Sequence, residues 1–198
     1  MKAKKRLNNK TILDYGFIKF DFVTLPIHRI YNKKKMEIVN TVHNHLFCIL
    51  NNEKIKKVLQ KEFKKLNLPP IIGIEIEAVT FPKCPIKILG INLKRTEGVN
   101  NICINATYSY HYLKIEKRQI VGYILLLNNF LHETIHFSIK NHQKVYEEAD
   151  RITLKLLRDI FEQFSEISPN KNDFEKIKNI FKTILDQKRK DGLNLMHT

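Results

Sequence analysis

The segment that decides the fold of this chain is IVGYILLLNNFLHETIH, residues 120–136. Its first half is almost entirely apolar, which predicts a helix that is buried on all sides. Its last five residues are His132-Glu133-Thr134-Ile135-His136, so two histidines stand four positions apart. On a helix such a pair projects from one face, about one turn apart. The sequence therefore predicts a long buried helix, over about 116–140, that presents two neighbouring imidazoles.

Hydrophobic periodicity predicts the elements around this helix. We expect helices over 33–50, 53–66, 144–166 and 174–185, and strands over 17–22, 71–81, 86–93 and 102–106. This order favours an α+β fold, in which a small sheet of three or slightly more strands packs on the histidine-bearing helix, with additional N- and C-terminal helices. A single domain is expected over 1–198, with a basic, flexible N-terminus at 1–10 and a polar tail at 188–198.

Charge and cysteine usage limit the setting of the protein. The chain has 35 Lys and Arg against 20 Asp and Glu, a net charge of +15. This excess favours polyanionic partners such as nucleic acid, although the lysine content expected from an AT-rich genome would also produce it. Cys48, Cys84 and Cys103 show no metal-binding spacing, which indicates thiols in a reducing compartment. The longest apolar run is too short to span a bilayer, so we expect a soluble, cytoplasmic protein without a membrane partner.

The two histidines are candidate zinc ligands. A catalytic zinc ion usually takes three protein ligands and leaves one position for water. His132 and His136 would supply two of them. The third is expected from Glu147 or Glu148 on the following helix, and the helical pattern does not decide between these two. Asp150, one turn further, could hydrogen-bond a ligating imidazole.

His142 is a competing third ligand. The spacing of His132, His136 and His142 matches the metzincin pattern H-E-x-x-H-x-x-G-x-x-H in its histidines. Ile139 occupies the position of the glycine that lets the chain turn in that pattern. A β-branched residue there favours continuation of the helix, which argues against His142.

Glu133 is the expected general base, which takes a proton from a metal-activated water. An oxyanion donor could come from the cluster just before the helix, which contains Tyr108, Tyr110, His111 and Tyr112. The strand over 102–106 could be a sheet edge that pairs with an extended peptide substrate.

The motif at 131–136, followed by Glu147-Glu148-Ala149-Asp150-Arg151, resembles the small gluzincin-type metallopeptidases. It is most similar to the ImmA/IrrE type and to short phage or plasmid proteins, and the SprT-like proteases have a similar order of elements. The resemblance covers about residues 71–160 and implies zinc at His132 and His136, a catalytic Glu133 and a glutamate ligand on the next helix. In those families a glutamate commonly stands three residues before the alanine, where this chain has Tyr146.

These observations predict a zincin-like, zinc-dependent metallopeptidase that acts on protein or peptide substrates. One alternative is a basic nucleic-acid-binding or protein-interaction protein with a structural or inactive zincin-like core. Its contact surface would include Lys33–Lys35 and the lysines between Lys54 and Lys65. A second alternative is a metal-dependent hydrolase of non-peptide substrates.

Overall fold

The computed structural model describes residues 11–22, 33–78, 90–94, 100–114, 119–164, 174–183 and 185–186. The predicted basic N-terminus and polar tail lie outside these ranges. The described strands are β1 (Thr11–Asp14), β2 (Lys19–Phe22), β3 (Ile71–Glu77), β4 (Gly90–Lys94) and β5 (Asn100–Asn105). The helices are α1 (Lys33–Asn51), α2 (Glu53–Phe63), α3 (Ala106–Leu113), α4 (Gln119–Ile135), α5 (His142–Phe164) and a further helical segment, α6, over 174–183.

The described strands form one mixed five-stranded sheet in the order β1-β2-β3-β5-β4. Strand β3 is parallel to both of its neighbours, β2 and β5, whereas β1 and β4 are antiparallel to theirs. The α+β class is therefore confirmed. The prediction that the strand over 102–106 is a sheet edge was wrong, because β4 pairs with the outer side of β5 and covers it.

The two faces of the central strands differ in polarity. In β3, Ile72, Ile74 and Ile76 alternate with Gly73, Glu75 and Glu77, and all six residues are buried. Alternation places the isoleucines on one face, where they join the hydrophobic core, and the glutamates on the other. The core face is the one that receives the helices, and Phe20 of β2 meets Phe130 of α4 there with ring centroids 5.1 Å apart.

Helix α4 is the central helix of this core, as its uninterrupted apolar sequence predicts. Every residue from Val121 to Ile135 is buried, including its polar ones. Gly122 permits a close crossing with α3, because a Cβ atom at this position would lie 3.0 Å from the Leu113 side chain. Because α4 is buried along its length, the side chains near its end at Ile135 are held in place by the core.

Helix α4 ends earlier than predicted, at Ile135 rather than near Lys140. The amide of His136 still bonds the carbonyl of His132 at 3.3 Å, but the next two amides, Phe137 and Ser138, bond carbonyls only three residues back. This tightening is typical of a helix terminus. Ile139 lies beyond the helix, although its β-branched side chain favoured continuation and its amide still bonds the Ile135 carbonyl at 2.9 Å.

Helix α5 begins at His142 because Asn141 caps it. The Asn141 side-chain oxygen accepts from the Lys144 amide at 3.0 Å, and its backbone carbonyl accepts from the Val145 amide at 3.1 Å. These are the contacts of an asparagine N-cap. His142 is thus the first helical residue and not a loop residue.

Two short elements were absent from the sequence prediction, namely β1 and α3. Among the described helices, none combines the length and the apolar composition needed to cross a membrane.

Candidate metal centre

The structure brings three histidines together where α4 ends and α5 begins. The Nε2 atoms of His132 and His136 are 3.1 Å apart. One ring nitrogen from each of His132, His136 and His142 lies within 4.8 Å of the other two, and this is the only group of potential metal ligands of this kind among the described residues. His132 is buried, whereas His136 and His142 are partly exposed, so the group lies between the core and solvent.

The local sequence explains why these rings converge. His132 lies in the last turn of α4 and His136 directly follows its last residue, one turn away. The tight turn after Ile135 then redirects the chain within six residues to His142. Ser138, inside this turn, accepts a hydrogen bond on its Oγ from the amide of Asn67 at 3.1 Å, which ties the turn to the segment after α2. This contact fixes the turn against the segment that follows α2.

A fourth aromatic ring, that of Tyr146, completes the cluster. Its centroid is 4.4 Å from that of His132 and 4.7 Å from that of His142. The three imidazoles have mutual centroid separations of 4.7, 5.0 and 4.9 Å. Sequence reasoning considered Tyr146 only as a departure from a family pattern. Its spacing of four residues from His142 was the available signal, because it places both residues on one helix face.

Glu133 lies between the two histidines of α4 and is only 4% exposed. It is adjacent to His132 and three residues before His136, which makes it a neighbour of His136 on the helix surface. A carboxylate this deeply buried is uncommon and is usually paired or functional. Glu133 is not part of the group of three histidines, so its predicted role as general base stays a prediction.

The two predicted carboxylate ligands engage other groups. Glu147 is exposed and accepts a hydrogen bond from the Gln143 side chain at 2.9 Å. Glu148 receives two hydrogen bonds from Arg151, at 2.8 and 2.6 Å. Neither carboxylate is part of the group of three histidines. Hydrogen bonds from Arg151 lower the pKa of Glu148, which keeps it ionised in this pairing.

Arg151 also joins a charged network between α2 and α5, which we call the Glu62 network. It consists of Glu62, whose side chain is 1% exposed, together with Arg151, Lys155 and Lys65 at 2.7, 2.6 and 2.7 Å. Burial alone would raise the pKa of Glu62, but the hydrogen bonds from Lys155, Lys65 and Arg151 outweigh it and lower the pKa to about 2. The network fixes α5 against α2.

Asp150 is buried, and its Oδ1 accepts from the Asn128 side chain at 2.9 Å. The same amide donates to Thr153 Oγ1 at 3.1 Å. Asn128 is one turn before His132 on α4, so this polar contact fixes the two helices that carry the histidines. Asp150 therefore contacts α4 through Asn128, and its predicted hydrogen bond to a ligating imidazole stays a prediction.

The predicted oxyanion donors lie on α3. The Tyr110 hydroxyl donates to Glu37 of α1 at 2.7 Å, which gives it a structural contact. His111 is exposed, and Tyr112 meets it edge-on with ring centroids 5.9 Å apart. The side chain of Tyr108 lies outside the described residues.

The chain matches no protein-family model, and neither a curated protein nor a solved structure is significantly similar to it. The resemblance to small metallopeptidases therefore stays a prediction, and the histidine geometry is the basis for any functional proposal.

Proposed function

We propose that His132, His136 and His142 bind one zinc ion and that the protein is a zinc-dependent peptidase. The observation that carries this proposal is the convergence of three imidazole nitrogens within 4.8 Å of one another, in a motif that contains a buried glutamate. Three neutral imidazoles with one open position are an established donor set for catalytic zinc. His142 replaces the glutamate ligand that the sequence favoured, since Glu147 and Glu148 are held by Gln143 and Arg151.

The distances suit such an ion. Two nitrogens on a tetrahedral zinc ion, each at about 2.0–2.1 Å from the metal, are about 3.3 Å apart. The two Nε2 atoms of His132 and His136 are 3.1 Å apart, close to this value. A ring nitrogen of His142 lies within 4.8 Å of a ring nitrogen of each of these two residues.

A bound zinc ion would supply Lewis acidity and lower the pKa of a water molecule. Glu133 would accept a proton from the attacking water and later return it to the leaving amine. The burial of His132 and Glu133 would shield this proton transfer from bulk solvent and strengthen its electrostatics. Peptide hydrolysis is the reaction that this combination of groups supports best.

Zinc content tests the metal site. We expect one zinc per chain in the purified protein, lost on exposure to a chelator and absent from a His132→Ala variant. His45→Ala is the matched control, because His45 packs on Tyr123 in another part of the core. A wild-type chain that binds no zinc, or a His132→Ala variant with undiminished zinc, would contradict the proposal.

Glu133→Gln tests the reaction. This variant should keep its zinc and cleave a library of unstructured peptides about 10²–10⁴ times more slowly than the wild type, which is the usual contribution of a general base. Equal cleavage by both proteins would remove Glu133 from the mechanism. If the wild type binds zinc but cleaves no peptide, the proposed metal site stands and the proposed peptidase activity is contradicted.

A second function, nucleic-acid binding, is favoured by the charge of α2. Lys57, Lys61 and Lys64 are exposed at helical spacing, and the acids of the Glu62 network are engaged by other cations. Regularly spaced lysines on one helix face suit contacts with phosphates. The Asn67–Ser138 hydrogen bond connects the end of this helix to the turn beside the histidines.

Salt dependence tests this second function. Binding to a DNA duplex should weaken steeply with salt, and replacing Lys57 and Lys61 by Gln should reduce the slope by about one to two. Lys176→Gln with Lys182→Gln is the control, because it removes the same charge from exposed positions on α6. An equal effect of both double variants would indicate attraction by net charge without a defined surface.

A further inference from the structure

Tyr146 is a buried ring in contact with two of the three histidines, and only 9% of it is exposed. Its ring is tilted by 42° to that of His132 and stands nearly perpendicular, at 88°, to that of His142. It therefore lies against one histidine from each of the two helices. The third imidazole, that of His136, is constrained through its own contact with His142, at 32° and 4.9 Å.

An imidazole can bind a metal only when its nitrogen points at the ion, so the orientation of the ring matters as much as its position. His132 and His136 are held by one helix, but His142 belongs to another and is partly exposed. A planar side chain that packs on both His132 and His142 restricts the rotation of each. Residues that orient metal ligands from outside the coordination sphere typically contribute 10–100-fold to metal affinity.

We infer that Tyr146 is a positioning residue of the metal centre, whose ring holds the imidazoles of His132 and His142 at the angle at which both face one ion. The inference rests on the proposed zinc site. It assigns to an aromatic side chain the position where the resembling families commonly carry a glutamate, and it attributes the effect to ring packing rather than to the hydroxyl.

The test uses metal alone as the probe, in competition with a chromophoric chelator. We expect Tyr146→Ala to weaken Zn²⁺ binding by about 10–100-fold. Tyr146→Phe, which retains the ring, should stay within about threefold of the wild type. Tyr146→Leu keeps much of the buried volume without a planar face. It should weaken binding almost as much as Tyr146→Ala, and it supplies the measurement if the alanine variant does not fold.

Tyr123→Ala is the matched control for loss of a buried tyrosine. Tyr123 is 7% exposed on α4 and packs on Phe164 of α5 with ring centroids 4.7 Å apart, so it links the same two helices in a different place. This variant should lose stability with unchanged Zn²⁺ affinity. A spectroscopic readout accompanies the affinities, because the visible bands of bound Co²⁺ should change in Tyr146→Leu and remain as in the wild type in Tyr123→Ala.

Three results would overturn the inference. They are unchanged affinity in both Tyr146→Ala and Tyr146→Leu, a loss in Tyr146→Phe as large as in Tyr146→Ala, and an equal loss in Tyr123→Ala. Its failure is distinguishable from failure of the proposed function. If the wild type binds no zinc, both proposals fall. If the wild type binds zinc and the variants without the Tyr146 ring bind it equally well, only this inference falls.

Discussion

Helix α5 carries two polar clusters that differ in kind. Its first two turns contribute His142 and Tyr146 to the histidine cluster, while the turns beyond contribute Arg151 and Lys155 to the Glu62 network. In the Glu62 network opposite charges meet, and three cations surround one buried carboxylate. In the histidine cluster like groups meet, and three ring nitrogens lie within 4.8 Å of one another.

This difference in charge distinguishes a structural cluster from a candidate metal-binding one. Opposite charges at hydrogen-bond distance stabilise each other and need no additional partner. Imidazole nitrogens that converge gain most when a cation lies between them, because each can offer its lone pair. The comparison predicts that a substitution in one cluster changes metal binding, whereas a substitution in the other changes stability.

The largest expected effect is that of His142→Ala on zinc affinity. Removal of a direct ligand should exceed the roughly 10–100-fold loss typical of residues that only orient ligands. Glu148→Gln should leave the affinity nearly unchanged, because the Glu148 carboxylate is bound by Arg151. Both affinities are measurable by chelator competition. A large loss in Glu148→Gln with little change in His142→Ala would instead make Glu148 the third ligand.

Glu62→Gln should affect stability and not metal binding. Loss of the buried carboxylate should lower the free energy of unfolding at pH 7 by about 2 kcal/mol, a value between those of exposed and buried ion pairs. Since the pKa of Glu62 in the folded protein is about 2, below its ordinary value of 4.5, the stabilisation is present above pH 4.5 and is lost as the pH falls toward 2.

Urea unfolding of both proteins over this pH range checks the sign. The difference in stability between wild type and Glu62→Gln should shrink steadily below pH 4.5, while their zinc affinities at pH 7 stay equal. A difference that is independent of pH would mean that ionisation of Glu62 does not contribute. A large loss of zinc affinity would show that the two clusters are not separate.

A smaller effect is expected at the cap of α5. Asn141→Ala should cost about 1 kcal/mol of stability, the usual value for an N-cap. It should also lower zinc affinity by a few-fold, because the cap fixes the first turn, where His142 lies. Asn52→Ala is the control, since Asn52 caps α2 through the amides of Lys54 and Ile55. That variant should lose similar stability and no zinc affinity.

Much of the fold could be predicted because its signals are local and repeated. The helical periods of α1 and α5 and the alternation of β3 follow from many residues that agree with one another. The four-residue strand β1 and the eight-residue helix α3 offer too few residues for such a pattern. The described sheet therefore contains one strand, β1, beyond the four that the sequence predicts, and the predicted fold class is correct.

The candidate site was predictable only in part. The pair His132 and His136 and the adjacent Glu133 follow from helix geometry alone. The place of His142 depends on where α4 stops, which is decided by backbone bonds around Ser138 and by the Asn141 cap rather than by hydrophobic pattern. The engagement of Glu148 depends on Arg151 and on the distant Glu62, and no spacing along the chain reveals it.

The three histidines come from a stretch of only eleven residues, 132–142. Closing so short a loop costs little chain entropy compared with bringing together distant segments. An unfolded chain would thus already be able to gather an ion with these residues, which reduces the stabilisation that zinc gives to the native state. In the proposed zinc site, a bound ion would link the end of α4 to the start of α5 across this short span.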